Sequence, residues 1–372
     1  MSHHPSCLTI DLDAIAYNYS AVCQKVGTDC EVASAVKSNA YGLGIEKIAP
    51  VLLDAGCKTF YVATIEEAIR LRTIIGYDPS ILSLNGFQAG ASDAYHRHRI
   101  SPVLCSEEEL RNWQSFNKGP LKAALQIDTG MNRLGVKYDT VDTLDSNPEQ
   151  DVDLILCHFA CADIPSHPLT TTQYQRFQEV MRYLGDDFRY SLCNSYGVFA
   201  SADYHLDQVR PGMSLYGLNP TPQSDNPMRP VVNLKARIIQ LHTARKGESA
   251  GYGATYTFPR DSQLATVSIG YGDGFFRHFG NKAQFFWHGH PCPIVGRVSM
   301  DLTIIDITDI PQDVPPPLVG EMMEVIGPHQ SADDLAEQIG TIGYEILTDL
   351  GQRHNRIYKN VKSLDTAGGI KR

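Results

Sequence analysis

The chain has 372 residues, of which 42% are apolar and 20% are charged. This mixture is typical of a folded protein with a substantial core and excludes disordered and fibrous classes. Lysine and arginine number 32 against 42 aspartate and glutamate residues, which gives a net charge of −10. A phosphate backbone would not be attracted to such a chain, so we expect no nucleic-acid partner.

The chain lacks the features that direct a protein into or across a membrane. It contains no run of about 18 consecutive apolar residues, and its start, Met-Ser-His-His-Pro-Ser-Cys, lacks the basic and apolar regions of a signal peptide. Nine scattered cysteines do not form the pattern of a disulfide framework or of paired zinc ligands. We therefore expect a cytoplasmic protein with reduced thiols, no membrane partner and no metal site.

The first half of the chain has the pattern of repeated βα units. A strand-like stretch at Cys7–Leu12 opens the chain, and its pairing partner stays open. From about residue 30 to residue 216, short apolar stretches alternate with helix-compatible stretches such as Ile65–Arg72 and Thr170–Tyr183. The candidate strands are Val32–Val36, Thr59–Ala63, Ile81–Leu84, Pro102–Cys105, Leu121–Ile127, Val152–His158, Tyr190–Cys193 and Gln208–Arg210. Eight such units favour a (β/α)8 barrel of the TIM type, although an open doubly wound sheet also alternates in this way.

The pattern changes after Pro220, where strand-like stretches follow one another with Gly, Pro and Asp between them. These stretches are Val231–Leu241, Gln263–Ile269, Ala283–Trp287, Cys292–Val298, Leu302–Ile307 and Met322–Ile326. The predicted fold class is therefore α/β, a barrel followed by a mostly β domain. We predict the barrel at residues 9–225 and the β-rich domain at residues 226–372; the strand at residues 1–8 is an optional part of the second domain.

Lys37 is the most informative single residue. It ends the apolar run Val32–Val36, so a barrel places it at the carboxyl end of the first strand, where TIM barrels have their active sites. Partial desolvation there would lower the pKa of the lysine and make its neutral amine available for attack on a carbonyl. Position alone also fits a solvated lysine at a strand end.

The residues around Lys37 resemble a known motif. Ala35-Val36-Lys37-Ser38-Asn39-Ala40-Tyr41-Gly42-Leu43-Gly44 is similar to the pyridoxal-phosphate lysine motif of alanine racemases. Further matching motifs follow in order along nearly the whole chain: Asp128-Thr129-Gly130-Met131-Asn132-Arg133-Leu134-Gly135, His158-Phe159-Ala160, Asn194-Ser195, Arg210-Pro211-Gly212, Gly251-Tyr252-Gly253-Ala254, Gly270-Tyr271-Gly272-Asp273-Gly274 and Met300-Asp301. Several short motifs at compatible spacing are far more specific than any one of them.

The resemblance implies two acid–base groups on opposite faces of the substrate Cα. Lys37 would carry the pyridoxal 5'-phosphate and take the proton from D-alanine, and Tyr252 would take it from L-alanine. An ordinary phenol titrates near pH 10, so cations or hydrogen bonds must stabilise the Tyr252 phenolate, and the candidates are Arg210 and His158. Arg210 also matches the residue that faces the pyridine nitrogen. Without the motifs, these residues fit a turn tyrosine, a salt-bridged arginine and a core histidine.

The resemblance also assigns binding residues. Those that match phosphate contacts are Tyr41, Ser195, Gly212, Met213 and Tyr344. Arg133 would pair with the substrate carboxylate, and Met300 would narrow the pocket. Gln126 departs from the commonest pattern, in which a carbamylated lysine orients this arginine. A neutral amide supplies no charge, so a bound anion such as chloride is one hypothesis.

The resulting prediction is a pyridoxal-phosphate-dependent alanine racemase. The family pattern places Tyr252 and Met300 at the barrel mouth of the other subunit, which implies a homodimer with shared active sites. A broad-specificity amino-acid racemase and a non-catalytic pyridoxal-phosphate-binding barrel protein are the alternatives. A decarboxylase is disfavoured because its relatives place an acid at the position of Arg210. The sequence leaves open whether the activity serves cell-wall synthesis or D-alanine breakdown.

Overall fold

The computed structural model describes residues 4–117, 119–144, 148–164 and 166–360. The chain divides into two compact units, one formed by Ile15–Arg229 and the other by the residues up to Ala14 together with those from Pro230 onward. Residues 361–372, which the sequence analysis assigned to the second domain, lie outside the described part. Within that part, no helix is long and apolar enough to cross a membrane.

The chain starts in the β-rich unit and then enters the barrel. Strand β1 (Ser6–Asp11) is followed by helix α1 (Leu12–Val26), and the division between the units falls inside this helix. The elements of the barrel unit then follow in the order β2 (Glu31–Val32), β3 (Ser34–Ala35), α2 (Lys37–Tyr41), α3 (Ile45–Asp54), β4 (Thr59–Val62), α4 (Ile65–Ile75), β5 (Ser80–Ser83), α5 (Ser92–His98), β6 (Ile100–Leu104), α6 (Glu107–Phe116), β7 (Ala123–Asp128), β8 (Val136–Lys137), β9 (Val152–Leu156), α7 (Pro168–Leu184), β10 (Arg189–Ser191), α8 (Ser195–Ala200) and β11 (Gln208–Val209).

The predicted (β/α)8 barrel is confirmed. The parallel strands pair in the order β2-β11-β10-β9-β7-β6-β5-β4-β3. Since β2 and β3 are two halves of one stretch interrupted at Ala33, the sheet returns to its starting point as a nearly closed barrel. Each of the eight candidate strands overlaps a strand of this sheet. The carboxyl ends of the strands therefore share one face, and Lys37 follows β3 directly at that face.

Polar caps set the turns from strand to helix at this face. Thr64 accepts a hydrogen bond from the amide of Glu67 at the start of α4, and Ser106 accepts one from Glu109 at the start of α6. Asn194 does the same for Gly197 in α8. Such side-chain oxygens satisfy amides that lack a partner in the first helical turn. The sharp turns fix where the residues at the strand ends point.

The β-rich unit is built around one long strand. Its remaining elements are β12 (Val232–Ala244), β13 (Ser249–Ala250), β14 (Tyr256–Thr257), β15 (Ser262–Val267), β16 (Gln284–Trp287), β17 (His290–Pro293), β18 (Thr303–Asp306), β19 (Met322–Ile326), α9 (Ala332–Glu337), α10 (Gly343–Asp349) and β20 (Asn355–Lys359). Strand β12 pairs with β1, β15 and β19. β1 also runs parallel to β20, so residues 9–11, which the sequence analysis assigned to the barrel, pair in this sheet.

Arg72 connects the ends of helices α4 and α5 through hydrogen bonds of its buried side chain. Its guanidinium donates to the carbonyl groups of Gly76 and Pro79 at 2.7 Å, of His98 at 2.8 Å and of Arg99 at 2.7 Å. The side chain is 2% exposed. It thereby satisfies carbonyl groups at or just after the ends of α4 and α5, of which that of Pro79 is buried and the others are partly buried.

We predict that Arg72→Met lowers the free energy of unfolding of the barrel unit by about 3 kcal/mol or more, because four buried or partly buried carbonyl groups lose a charged donor. The measurement is a denaturant titration followed by circular dichroism. Arg97→Met, which removes an exposed arginine of α5, is the control and should change the midpoint little. Equal midpoints for the two variants would contradict the prediction.

Candidate active site

Lys37 is followed by a turn with an unusual backbone. Ser38, Asn39, Ala40 and Tyr41 all have positive φ angles between 52° and 57°. A left-handed conformation costs a non-glycine residue roughly 1–2 kcal/mol. The amides of Ala40, Gly42 and Gly44 donate within this stretch, to the carbonyl groups of Val36, Ser38 and Asn39 respectively. These hydrogen bonds offset the conformational energy of the left-handed residues and keep the turn in place.

Glu67 connects this turn to the next βα unit. Its Oε1 accepts from the amide of Ser38 at 2.6 Å, and its Oε2 accepts from the amide of Ala63 at 2.8 Å. The side chain of Asn39 accepts from the amide of Ile45 at 3.0 Å. The backbone on the carboxyl side of Lys37 is therefore fixed by two side chains, Glu67 of α4 and Asn39 of the turn itself.

Lys37 is half-buried in a positively charged environment. Burial lowers its pKa, and the nearby Arg133 lowers it further, while Glu67 acts in the opposite direction. The balance favours the neutral amine over the ammonium at a lower pH than for a free lysine. The expected activation of Lys37 at this strand end thus has a structural cause.

Arg210 and His158 lie in the same barrel mouth. The guanidinium of Arg210 donates to Ser191 Oγ and to the carbonyl oxygen of Cys157, and it lies 5.9 Å from the centre of the Tyr61 ring. Burial, followed by the charges of Arg210, Arg133 and Lys37, lowers the pKa of His158 to about 3. His158 is therefore neutral at pH 7 and adds no positive charge to the site.

Four residues lie close together at the carboxyl ends of the last strands and form a group of hydrogen-bond donors that we call the cradle: Tyr41, Ser195, Gly212 and Ser214. Ser195 Oγ accepts from the amide of Gly212 at 3.0 Å, from the amide of Ser214 at 3.3 Å and from Ser214 Oγ at 3.0 Å. A Cβ atom at Gly212 would lie 2.3 Å from Tyr41 Oη, so only glycine admits this close approach. Burial raises the pKa of Tyr41 to about 12, which keeps its phenol protonated as a donor.

The cradle is completed by neighbouring residues. Met213 begins the 3₁₀ turn Met213–Tyr216, and the Tyr216 ring stacks on Tyr41 at 4.5 Å between centroids. Tyr216 Oη donates to the carbonyl group of Ala35, two residues before Lys37. The structure therefore brings four of the predicted phosphate contacts together: Tyr41, Ser195, Gly212 and Met213.

Arg133 extends from a loop that is tied back to its own strand. Asp128 Oδ1 accepts from the amides of Gly130 and Asn132, and Asp128 Oδ2 lies 2.6 Å from Lys137 Nζ. Gln126 Nε2 donates to the carbonyl group of Leu134 at 3.1 Å. Gln126 thus holds the backbone beside Arg133 directly.

The other three predicted site residues belong to the β-rich unit. Tyr252 lies in the turn Tyr252–Ala254 and is 72% exposed, Met300 is 54% exposed, and Tyr344 lies near the start of α10. Their relation to the barrel residues is part of the proposal below.

Sequence reasoning missed several residues that shape the site. Glu67 stands three residues after Thr64, a spacing that predicts a helix cap, but nothing in it indicates the bond to Ser38. Ser214 and Tyr216 follow the Arg210-Pro211-Gly212 motif without a signal of their own. Only the three-dimensional arrangement shows their contacts.

These residues fit pyridoxal phosphate. The hydrogen-bond donors of the cradle suit the phosphate group of this cofactor. The half-buried amine of Lys37 suits its aldehyde carbon, and Arg210 offers a charged donor to its ring nitrogen. No cluster of three or more His, Cys, Asp or Glu residues that could hold a metal ion occurs in the described ranges. A phosphate cradle and an activated lysine at the mouth of a TIM-type barrel define a pyridoxal-phosphate enzyme of the barrel class.

Comparisons with known proteins agree with this class. The family models described as the N-terminal and C-terminal domains of alanine racemase match residues 10–220 and 231–358. The alanine racemase of Rhodospirillum rubrum is 42% identical over 365 residues, which cover 95% of this chain and 96% of that protein. The chain belongs to the alanine racemase family, as the sequence motifs indicated.

Solved structures of the family are similar over nearly the whole chain. The structure of the alanine racemase from Bartonella henselae with covalently bound pyridoxal phosphate is 38% identical, covers 95% of this chain and 99% of its own, and has a TM-score of 0.90. The structure of the alanine racemase from Bacillus anthracis with bound L-Ala-P is 28% identical, covers 97% of this chain and 96% of its own, and has a TM-score of 0.83.

We predict that two substitutions shift the reactivity of Lys37 in opposite directions. Arg133→Met removes a neighbouring cation, so the pKa of Lys37 rises; Glu67→Gln removes a carboxylate, so it falls. The rate at which cofactor-free protein binds pyridoxal phosphate, measured against pH, should therefore show a midpoint shifted up for the first variant and down for the second. Shifts of the same sign would contradict the assignment.

Proposed function

We propose that the protein interconverts L-alanine and D-alanine with pyridoxal 5'-phosphate, using Lys37 and Tyr252 as the two acid–base groups. The observation that carries the proposal is the juxtaposition at one barrel mouth of the half-buried amine of Lys37, the cation Arg133 and a phosphate cradle. Membership of the alanine racemase family supports the choice of substrate.

The proposed contacts of the cofactor follow the arrangement of donors. Tyr41, Ser195 and the amides of Gly212 and Met213 hold the phosphate, and Tyr344 adds a hydroxyl. Arg210 faces the pyridine nitrogen, with neutral His158 beside it. When bound, the cofactor supplies a conjugated ring that stabilises negative charge at the substrate Cα.

Arg210 restricts what that ring can do. A guanidinium is not deprotonated in proteins, so Arg210 would donate a hydrogen bond to the pyridine nitrogen and would not supply a proton to it. A cofactor held in this way would withdraw less charge than one held beside an acid. This property favours return of a proton to Cα and disfavours the decarboxylase alternative.

Arg133 is the proposed partner of the substrate carboxylate. Guanidinium and carboxylate pair through two parallel hydrogen bonds. Met300 is proposed to limit the size of the side-chain pocket, although one methylene is worth only about 1–3 kcal/mol of discrimination. Serine is therefore a candidate weak substrate, and the broad-specificity alternative is tested by comparing the two amino acids.

The second base is proposed to act across a homodimer. Tyr252, Tyr271 and Met300 are exposed on neighbouring loops of the β-rich unit. The amide of Gly272 donates to the carbonyl group of Met300, and Arg353 contacts both Asp273 and Asp301. An exposed aromatic and methionine surface on fixed loops suits association with a second copy, which would bring Tyr252 to the partner subunit's Lys37.

The proposed location is the cytoplasm. All nine cysteines lie in described positions, and none forms a disulfide. Burial raises the pKa of Cys57, Cys105 and Cys193. Inert reduced thiols of this kind suit a reducing compartment.

The decisive experiment loads the purified protein with pyridoxal phosphate and follows alanine by chiral chromatography. We expect conversion of either enantiomer to the racemate. Visible absorbance of bound cofactor without conversion would favour the non-catalytic alternative, and lack of binding would reject both.

We predict that Tyr252→Phe separates the two proton transfers. Racemisation should fall by about 10²- to 10⁴-fold, the usual contribution of one acid–base group. In deuterated water, exchange of the Cα hydrogen of D-alanine should persist, because Lys37 serves that face, while exchange of L-alanine is lost. Tyr271→Phe is the matched control on the same surface. Loss of both exchanges with full cofactor loading would contradict the two-base assignment.

We also predict that two inactive variants complement each other. Mixing Lys37→Ala with Tyr252→Phe chains under conditions of subunit exchange creates mixed dimers with one intact site. Partial recovery of racemase activity is expected. If subunit exchange is demonstrated by mass spectrometry and no activity returns, the site is not shared.

A further inference from the structure

Gln173 is a buried polar residue that the proposed reaction does not use. It belongs to α7, an outer helix of the barrel, and its side chain is 0% exposed. Its Oε1 accepts from the amide of Ala160 at 2.9 Å, and its Nε2 donates to the carbonyl group of His158 at 3.0 Å. The side chain of Gln173 thus binds the backbone groups on either side of Phe159.

The same side chain reaches a second loop. Gln173 Nε2 lies 3.4 Å from Thr129 Oγ1, to which it donates, and Thr129 Oγ1 lies 2.9 Å from Cys157 Sγ. Thr129 stands at the start of the loop that presents Arg133. Gln173 therefore bridges the carboxyl ends of β7 and β9 from outside the barrel.

Arg176 binds the Thr129 loop, as Gln173 does, but does not bind the His158 segment. It follows Gln173 by three residues and therefore lies on the same face of α7. Its Nη1 donates to the carbonyl group of Thr129 at 2.8 Å, and its guanidinium lies 4.6 Å from the centre of the Tyr138 ring. Gln173 thus contacts both loops, whereas Arg176 contacts the Thr129 loop alone.

The segment after β9 is held from both sides. Arg210 donates to the carbonyl oxygen of Cys157 from inside the barrel, and Gln173 binds His158 and Ala160 from outside. The position of this segment relative to the Thr129 loop determines where His158, and the Cys157 carbonyl group that Arg210 binds, lie relative to Arg133. In the proposed function, Arg210 would bind the cofactor ring and Arg133 the substrate carboxylate, so the distance between the two segments would fix how these groups lie relative to each other.

We propose that Gln173 is a positioning residue that sets the relative placement of the Arg133 loop and the His158 segment. The inference rests on the proposed function. The role requires an amide, because the site needs one acceptor for Ala160 and a donor for His158 and Thr129. Glutamate keeps the shape but loses the donor, and methionine keeps the approximate volume but loses every hydrogen bond.

Hydrogen exchange measured by mass spectrometry tests the role without reference to activity. In Gln173→Met, peptides that cover residues 128–134 and 157–162 should both exchange at least tenfold faster than in the wild type. In Arg176→Gln, only peptides from 128–134 should do so. Gln175→Met, at an exposed position of the same helix, is the control and should leave both segments unchanged.

Steady-state kinetics give the functional readout. Gln173→Met and Gln173→Glu should lower kcat/KM for alanine by about 10- to 100-fold, because a small misplacement of reacting groups has an effect of this size. Both kcat and KM should change in these variants. Arg176→Gln should mainly raise KM, because it leaves the His158 segment in place.

The outcomes separate this role from general stabilisation. Faster exchange throughout the barrel in both Gln173→Met and Arg176→Gln would overturn the proposal, as would kcat/KM within twofold of Gln175→Met. Faster exchange confined to the two segments supports it. A wild-type protein that binds pyridoxal phosphate but does not racemise alanine rejects the proposed function and leaves the exchange result to decide the positioning role.

Discussion

Three basic side chains, Lys37, Arg133 and Arg210, share the mouth of the barrel, and the burial of Lys37 and Arg210 there governs the chemistry of the site. Burial disfavours a charge, and a neighbouring cation adds to that cost. The result is a lysine with a lowered pKa and a histidine that stays neutral. The arrangement is suited to ligands that bring negative charge, namely a phosphate and a carboxylate.

The carboxylate of Glu31 is connected to the surroundings of Arg210 through neutral side chains. Tyr61, whose ring lies against Arg210, donates through its hydroxyl to Gln208 at 2.7 Å, and Gln208 donates to Glu31 at 2.9 Å. Glu31 is paired with Arg189. Small residues such as Ala33, Ala35 and Ala124 surround the large Tyr61 ring in the core. Two neutral side chains, Tyr61 and Gln208, therefore separate Arg210 from Glu31 along this path.

Much of the fold could be predicted because each strand is short, apolar and followed by a polar turn. Met322–Ile326 has the predicted bounds, and Lys37 stands at the expected strand end. The helices α9 and α10 were missed, since six and seven residues are too few to show a helical period. The motifs identified the family because their order and spacing survive where individual residues change.

The remaining features depend on contacts between distant parts of the chain. Nothing in Ser38-Asn39-Ala40-Tyr41 indicates four left-handed residues in succession, since serine, alanine and tyrosine have no preference for that conformation. The bond from Ser38 to Glu67 crosses 29 positions. The link from Gln173 to Thr129 crosses 44. Such contacts are set by the geometry of the barrel, so local sequence patterns do not predict them.

The left-handed turn also limits how this part of the chain can diverge. Side chains branched at Cβ do not tolerate positive φ, so Val, Ile and Thr are closed to positions 38–41 whatever the chemistry of the pocket. A new substrate preference would therefore have to arise elsewhere: in the exposed loop that carries Arg133 or, under the proposed function, in the loops that carry Tyr252 and Met300. The segment that follows Lys37 has the least freedom to vary.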